Sequence, residues 1–215
     1  MDDRKSKLQT KESEMKKAIM IRHGQTDGPA GMKGRRDVPI SVAGLKTMKM
    51  AGYLLGHSDN VPDLVVSGPL MRAVQSATAL GLSEDQKARQ IVMNEFDEVD
   101  VGDLEGKSGA IDLDEYDQNA LANHAESTDK ALARALDGLE QLKKMDFETA
   151  AVVSHSFLLI LLYLHLPKAE GLPAMMPMLN GCGFEAELEP EVKITGLFPD
   201  GLLQELKKSG ENWSR

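Results

Sequence analysis

Four short apolar runs, each followed by a stretch of helical spacing or by a polar loop, constrain this chain more than any other feature. They are AIMIR over 18–22, DLVVSG over 63–68, RQIVMN over 89–94 and ETAAVVSHS over 148–156. Each is short, bounded by turn-forming or polar residues, and consistent with a strand buried on both faces. Ser41 stands where a helix N-cap belongs, and Leu45, Met48, Ala51 and Leu55 follow it three and four residues apart. The segment PLMRAVQSATALGL begins with Pro69, a residue suited to a first helical turn. Residues 114–144 read as mostly helical, with room for two helices, and the fourth run leads directly into the apolar helix FLLILLYLHL. Two last patterns, GCGFEAELE and EVKITGLF, read as a closing strand pair. Strand and helix alternation predicts a mixed, mostly parallel central sheet covered on both faces, a three-layer α/β/α sandwich. The 215 residues suit one such domain, read over 18–215, behind a flexible charged tail over 1–17.

Composition narrows the classes of function. A formal net charge of −9 argues against nucleic acid held by the bulk field of the chain. With one cysteine, Cys182, no intramolecular disulfide and no Cys-based metal centre can form, which suits a reducing cytoplasm. The longest apolar run, over 157–167, is too short to span a bilayer, and the charged start lacks a leader's apolar core. The expectation is a cytoplasmic protein with neither nucleic acid nor membrane as partner; a homodimer stays open. Aromatic residues are only 4%, so the 12 methionines help fill the core, and PAMMPML over 173–179 reads as packing. His57 and His124 read as surface residues, His165 as a helix end and Cys182 as a buried strand residue.

In open parallel sheets, ligands gather beyond the carboxyl ends of the strands. The first run ends on Arg22 and His23, and the second on Ser67-Gly68 with Arg72 one turn on. The third is followed by Glu98, and the fourth ends on His155. Any one of these has an ordinary structural explanation. Together they form a coherent set for phosphoryl transfer. Two guanidiniums match phosphate oxygens in bidentate fashion, and a neutral imidazole can accept a phosphoryl group near pH 7. A second histidine adds a donor, and a carboxylic acid can protonate the leaving oxygen. The chain has no HExxH, GxxxxGK[ST] or GxGxxG motif, and neither a metal nor a cofactor is expected.

At this point the sequence resembles the histidine phosphatase superfamily, in its phosphoglycerate-mutase-like branch. The RHG signature stands at 22–24 with Thr26 behind it. GRRDVPISVAG over 34–44 is similar to the family's G-x-x-D-x-x-L-S-x-x-G, and SGPLMRAVQSA over 67–77 to its S-x-L-x-R-A-x-Q-T-A. FDEVDVGDLEGKS over 96–108, VVSHS over 152–156 and NGCGFEAEL over 180–188 complete the order. The resemblance implies a phosphatase acting on a phosphomonoester of a small metabolite, without a metal, through a covalent phosphohistidine. His23 would be the nucleophile and Glu98 the proton donor. Arg22, Arg72 and His155 would hold the phosphoryl group, with Gln25, Thr26 and Ser156 in contact with phosphate.

The chain also departs from the pattern. Pro29 replaces a phosphate-contacting Asn, and Ser156 replaces a Gly. Val99 and Val101 stand where true mutases carry Arg and Tyr. The segment over 110–129 is acidic without Lys or Arg, and reads as a lid that would repel multiply charged substrates. A cofactor-dependent phosphoglycerate mutase, a phosphohistidine-protein phosphatase and a non-catalytic phospho-ligand binder remain as alternatives.

Overall fold

A computed structural model of the chain describes residues 15–27, 31–82, 88–108 and 112–201. Six strands form one sheet in the order β3-β2-β4-β1-β5-β6. They are β1 (Lys17–Arg22), β2 (Leu64–Ser67), β3 (Arg89–Val92), β4 (Thr149–Ser154), β5 (Gly183–Glu187) and β6 (Lys193–Phe198). The first four pair in parallel, and β5 and β6 extend the β1 edge antiparallel, as a mixed sheet should. The helices are α1 (Val42–Gly56), α2 (Met71–Ala79), α3 (Leu113–Asn119), α4 (Thr128–Lys143) and α5 (Ser156–His165).

Strand alternation builds two cores. Ile19, Ile21, Val65, Ala151 and Val153 point to one face, where Met48, Ala51 and Leu55 of α1 and Ala73 and Ala77 of α2 cover them. Ala18, Met20, Leu64, Val66, Ala150 and Val152 point to the other, against Ala131, Ala135 and Leu139 of α4 and Leu158, Leu159 and Leu162 of α5. Successive side chains in a strand leave opposite faces, so one four- to six-residue run serves both layers. Helices on both faces of one sheet make the three-layer sandwich.

Several local expectations change. Lys17 is already in β1, and Lys16 Nζ donates to the carbonyls of Lys143 and Met145, so the described end of the expected tail is tied down. The rest of that tail, 1–14, lies outside the described residues, as does Pro29. Pro69 falls before the helix: α2 begins at Met71, whose N–H is capped from outside by Asp37 Oδ1 at 2.7 Å. Cys182 is half-buried and precedes β5, because Gly183 is the first residue to pair with β1. Met176 and Met178 pack into the larger core as expected, and His165 ends α5. Among the described residues, no helix is long and apolar enough to cross a membrane.

Candidate active site

The strand ends and their loops converge on a cavity of about 480 Å³. It is lined by the buried His23, Arg72 and Glu98, by the partly buried Arg22, Thr26 and Ser156, and by the exposed Gln25. Of the residues anticipated at a site, only His155 does not line the open cavity. It is fully buried, and its ring stands behind that of His23 at 5.1 Å between centroids.

The backbone around His23 is fixed from three directions. Its N–H donates to Ser154 O of β4 at 2.9 Å, and Asn180 Nδ2 donates to its carbonyl at 2.7 Å. The next residue, Gly24, packs on the start of α1: a Cβ there would stand 2.7 Å from Gly44 O. A Cβ on Gly44 would stand 2.2 Å from Gln25 O, so both positions need glycine for close approach rather than for an unusual φ. One face of α2 completes the support. Arg72, Gln75 and Ser76, three and four residues apart, reach His23 Nε2, Ile40 N and Gly24 N respectively.

The hydrogen bonds of the imidazole determine its tautomer. His23 Nδ1 lies 2.7 Å from Gly24 O, and a carbonyl only accepts, so Nδ1 carries the proton. Nε2 therefore presents a lone pair, and it accepts from Arg72 Nε at 3.2 Å. Burial first, then the guanidiniums of Arg22 and Arg72, lower the pKa of His23 to about 3 against the Gly24 hydrogen bond. The ring is neutral at physiological pH. Burial likewise pushes His155 well below the ordinary histidine value, with His23 and Arg72 adding to the effect.

The two arginines are pre-aimed. Arg72 is held by Arg36 O at 2.7 Å and Gly34 O at 2.6 Å, and Arg22 Nη1 donates to Met178 O at 2.5 Å. Arg22 Nε, Ser67 Oγ and both ring nitrogens of His155 are buried without a hydrogen-bond partner among the described residues. Buried polar atoms are normally satisfied, and the unused Nε of Arg22, on a side chain that lines the cavity, fits an anion with several acceptor oxygens.

Glu98 follows β3 through a 3₁₀ turn, Asn94–Phe96. Its Oε1 accepts from Val99 N at 2.9 Å and from Leu158 N, in the first turn of α5, at 3.3 Å. Burial nevertheless dominates and raises its pKa above the usual carboxylate range, so it retains a proton to higher pH.

The Glu98 loop rests on Arg134, a residue to which the sequence reading assigned no role. Arg134 donates to the carbonyls of Glu95, Asp97 and Glu98 at 2.9, 2.8 and 3.0 Å, and pairs with Glu126 at 2.9 and 3.0 Å. Arg35 approaches the same carbonyl of Glu98 at 3.1 Å and pairs with Asp97 and Glu126. Burial tends to raise the pKa of Glu126, but its bonds to Arg134 outweigh this and lower it. A sequence signal for Arg134 did exist: it shares a helix face with Ala131 and Gly138, which are buried in the sheet-facing layer. Asn180 had been read only as part of a late motif.

Of the acidic segment read as a lid, residues 110–111 lie outside the described residues. No described residue between 112 and 129 lines the cavity. Tyr116 turns inward, its hydroxyl donating to Glu126 O at 2.8 Å with Asp100 O farther off at 3.3 Å, and Glu126 is engaged with Arg35 and Arg134. Of the segment's acidic residues, Glu126 serves the support of the Glu98 loop, and Asp112, Asp114, Glu115, Asp117 and Asp129 are exposed.

Comparison with known proteins identifies the family. The chain is 31% identical over 173 residues, 74% of its own length and 71% of the relative's, to a metal-independent phosphoserine phosphatase of Arabidopsis thaliana. It is 33% identical over 95 residues, 43% of this chain and 40% of the relative, to a glucosyl-3-phosphoglycerate phosphatase of Mycolicibacterium vanbaalenii. Among solved structures, a mycobacterial glucosyl-3-phosphoglycerate phosphatase in complex with vanadate superposes with a TM-score of 0.65 at 24% identity, covering 84% of this chain and 98% of that one. The model of the histidine phosphatase superfamily, branch 1, matches residues 18–184, which span every strand-end residue of the cavity, and the chain belongs to that family.

Proposed function

We propose that this phosphatase hydrolyses its phosphomonoester through a phosphohistidine on His23, with Glu98 as general acid and then general base. The observation that carries the reading is the fixed tautomer: Nδ1–H is engaged by Gly24 O, so the lone pair is on Nε2, where Arg72 Nε donates to it and yields to the incoming phosphoryl group. Nε2 attacks phosphorus as the bond to the leaving oxygen breaks, and Glu98 gives its proton to that oxygen. The alcohol departs. Water then attacks the phosphohistidine, Glu98 takes its proton, the N–P bond breaks and phosphate leaves. Arg22 and Arg72 hold the phosphoryl oxygens through both steps, where charge on them grows, while His155, closed off from the cavity, packs against the His23 ring. Gln25, Thr26 and Ser156 border the same oxygens. The catalytic unit is taken as one domain beginning near residue 18, working in a reducing cytoplasm. Its substrate is a small phosphorylated metabolite, as the names of its relatives suggest.

A mutase reading is not favoured, since Val99 and Val101 are both buried and offer no grip on a second charged group. The test is chemical trapping. Acid-labile, alkali-stable phosphate should appear on the wild-type chain after a rapid quench with labelled substrate and be absent from His23→Ala, which should also release no phosphate. Wild-type turnover by His23→Ala would refute the nucleophile.

A further inference from the structure

Arg35 stands between the two carbonyls that hold Arg72. Arg72 Nη2 donates to Gly34 O at 2.6 Å and Nη1 to Arg36 O at 2.7 Å, so the backbone on either side of Arg35 fixes that guanidinium. The side chain of Arg35 leaves this loop for the one that carries Glu98. Its Nε donates to Glu98 O at 3.1 Å and lies 3.2 Å from Asp97 Oδ2, and its Nη2 reaches Glu126 Oε2 at 3.3 Å.

Both backbone polar groups of Glu98 are thereby gripped. Asp97 Oδ1 accepts from Glu98 N at 2.7 Å while Asp97 Oδ2 faces Arg35, and Glu98 O accepts from Arg35 and from Arg134. Arg134 differs in its reach: its contacts fall on the Glu98 loop and on Glu126, whereas Arg35 shares those partners and also belongs to the loop beneath Arg72. The side chain of Arg35 is 39% exposed, but those of Asp97 and Glu126 are only 15% and 14% exposed. A cation set over two largely buried carboxylates is screened less than an ordinary surface pair. Arg36 and Met32 tie the same loop to Glu105 and Gly106, so it stays folded without Arg35. What Arg35 adds is its register against Glu98.

Phosphoryl transfer depends on that register. Arg72 fixes where the phosphoryl oxygens sit, and Glu98 must lie within hydrogen-bond reach of the leaving oxygen on the same phosphorus. A misplacement of about 1 Å costs on the order of 10²-fold in rate. Resting on the phosphohistidine mechanism above, we propose that Arg35 is a positioning residue that ties the carbonyls holding Arg72 to the backbone of Glu98, and so sets the separation between the phosphoryl clamp and the proton donor. Arg35 itself does not line the cavity. Its loss disturbs two functions together, the anion grip of Arg72 and proton delivery by Glu98, whereas loss of Arg134 disturbs proton delivery alone.

The experiment measures kcat/KM for phenyl phosphate and p-nitrophenyl phosphate, and Ki for orthovanadate, in the wild type, Arg35→Met, Arg35→Lys, Arg134→Ala and Glu98→Gln, with folding checked by circular dichroism. Arg35→Met keeps the stem of the side chain and removes its donors. It should lose about tenfold more on phenyl phosphate, the poorer leaving group, than on p-nitrophenyl phosphate, and bind orthovanadate about fivefold more weakly. Arg35→Lys offers an ammonium to one partner at a time and should show both changes at smaller size. Arg134→Ala should show the first change without the second. In Arg35→Met/Glu98→Gln the leaving-group effect of Arg35→Met should vanish, since it acts through Glu98, and its vanadate effect should remain. A loss equal for both esters, an unchanged vanadate Ki in Arg35→Met, or a leaving-group effect undiminished without Glu98 overturns the inference. Glu98→Gln then decides the mechanism separately: a larger loss on phenyl phosphate leaves the acid role standing, and no such bias refutes it together with the role of Arg35.

Discussion

Arg72 Nε donates to His23 Nε2 across 3.2 Å, and both side chains are buried. The contact joins the nucleophile to a guanidinium whose other arms rest on the carbonyls of Gly34 and Arg36. Arg72→Ala should lower kcat/KM for p-nitrophenyl phosphate by about two to three orders of magnitude, the effect of removing a pre-aimed donor from a transition-state anion. Arg72→Lys should restore little, because an ammonium cannot reach His23 and two carbonyls in one plane. Steady-state kinetics on both variants, with folding checked by circular dichroism, provides the measurement.

Glu98 acts as an acid only while protonated, and burial moves its pKa above the carboxylate range. The free-enzyme kcat/KM should therefore fall on the alkaline side as Glu98 ionises. His23, with a pKa of about 3, should contribute no limb near neutrality. Glu98→Gln should remove the alkaline limb and slow poor leaving groups by about 10²- to 10⁴-fold while sparing p-nitrophenol. Equal slowing for good and poor leaving groups would exclude the acid role.

Arg134 donates to three carbonyls of the Glu98 loop, those of Glu95, Asp97 and Glu98, and forms a charge pair with Glu126. Arg134→Ala leaves Glu126 short of a partner, and should cost about 3–5 kcal/mol as a largely buried pair broken on one side. Since Arg134 is partly exposed, the lower end is expected. Its kinetic signature should follow Glu98→Gln, with the larger loss on poor leaving groups. Urea unfolding and a leaving-group series read the two effects separately.

His23 and His155 are buried and neutral, with pKa values below those of the unfolded chain. Between the ordinary value of about 6.5 and the folded values, the unfolded chain binds more protons. Stability should therefore be fully present above about pH 6.5 and decline as pH falls towards 3. Glu98 works in the opposite sense: its share of stability is full below the ordinary value of 4.5 and is lost as pH rises through its raised folded pKa, so Glu98→Gln should alter the profile above that value and not at the acid end. His155→Gln should flatten the pH dependence of the urea midpoint between pH 4 and 6.5.

Gly44→Ala sets a Cβ against backbone at 2.2 Å from Gln25 O, with no flexible side chain to yield. It should destabilise by about 1–3 kcal/mol and lower turnover, because the displaced strand-to-helix loop is the one that carries His23. A variant with wild-type melting temperature and rate would contradict the packing.

The parallel sheet, its closing antiparallel pair and the strand-end residues were legible in the chain because they are written in local periodicity. Apolar runs of four to six residues separated by capped helices admit few arrangements, and Arg22, His23, Arg72 and Glu98 then fall at one edge. Motif spacing on α2 carried similar information, since Arg72, Gln75 and Ser76 share a helix face whatever they touch. The tertiary structure alone decided what depends on distant partners. It set Glu126 of the acidic segment against Arg134 and Arg35, and it laced the backbone at Met32 to that at Gly106 and Lys107. It set His155 behind His23 rather than beside the open cavity. Charge read along a chain has no direction; only packing determines whether an acidic stretch faces a substrate or an arginine of its own fold.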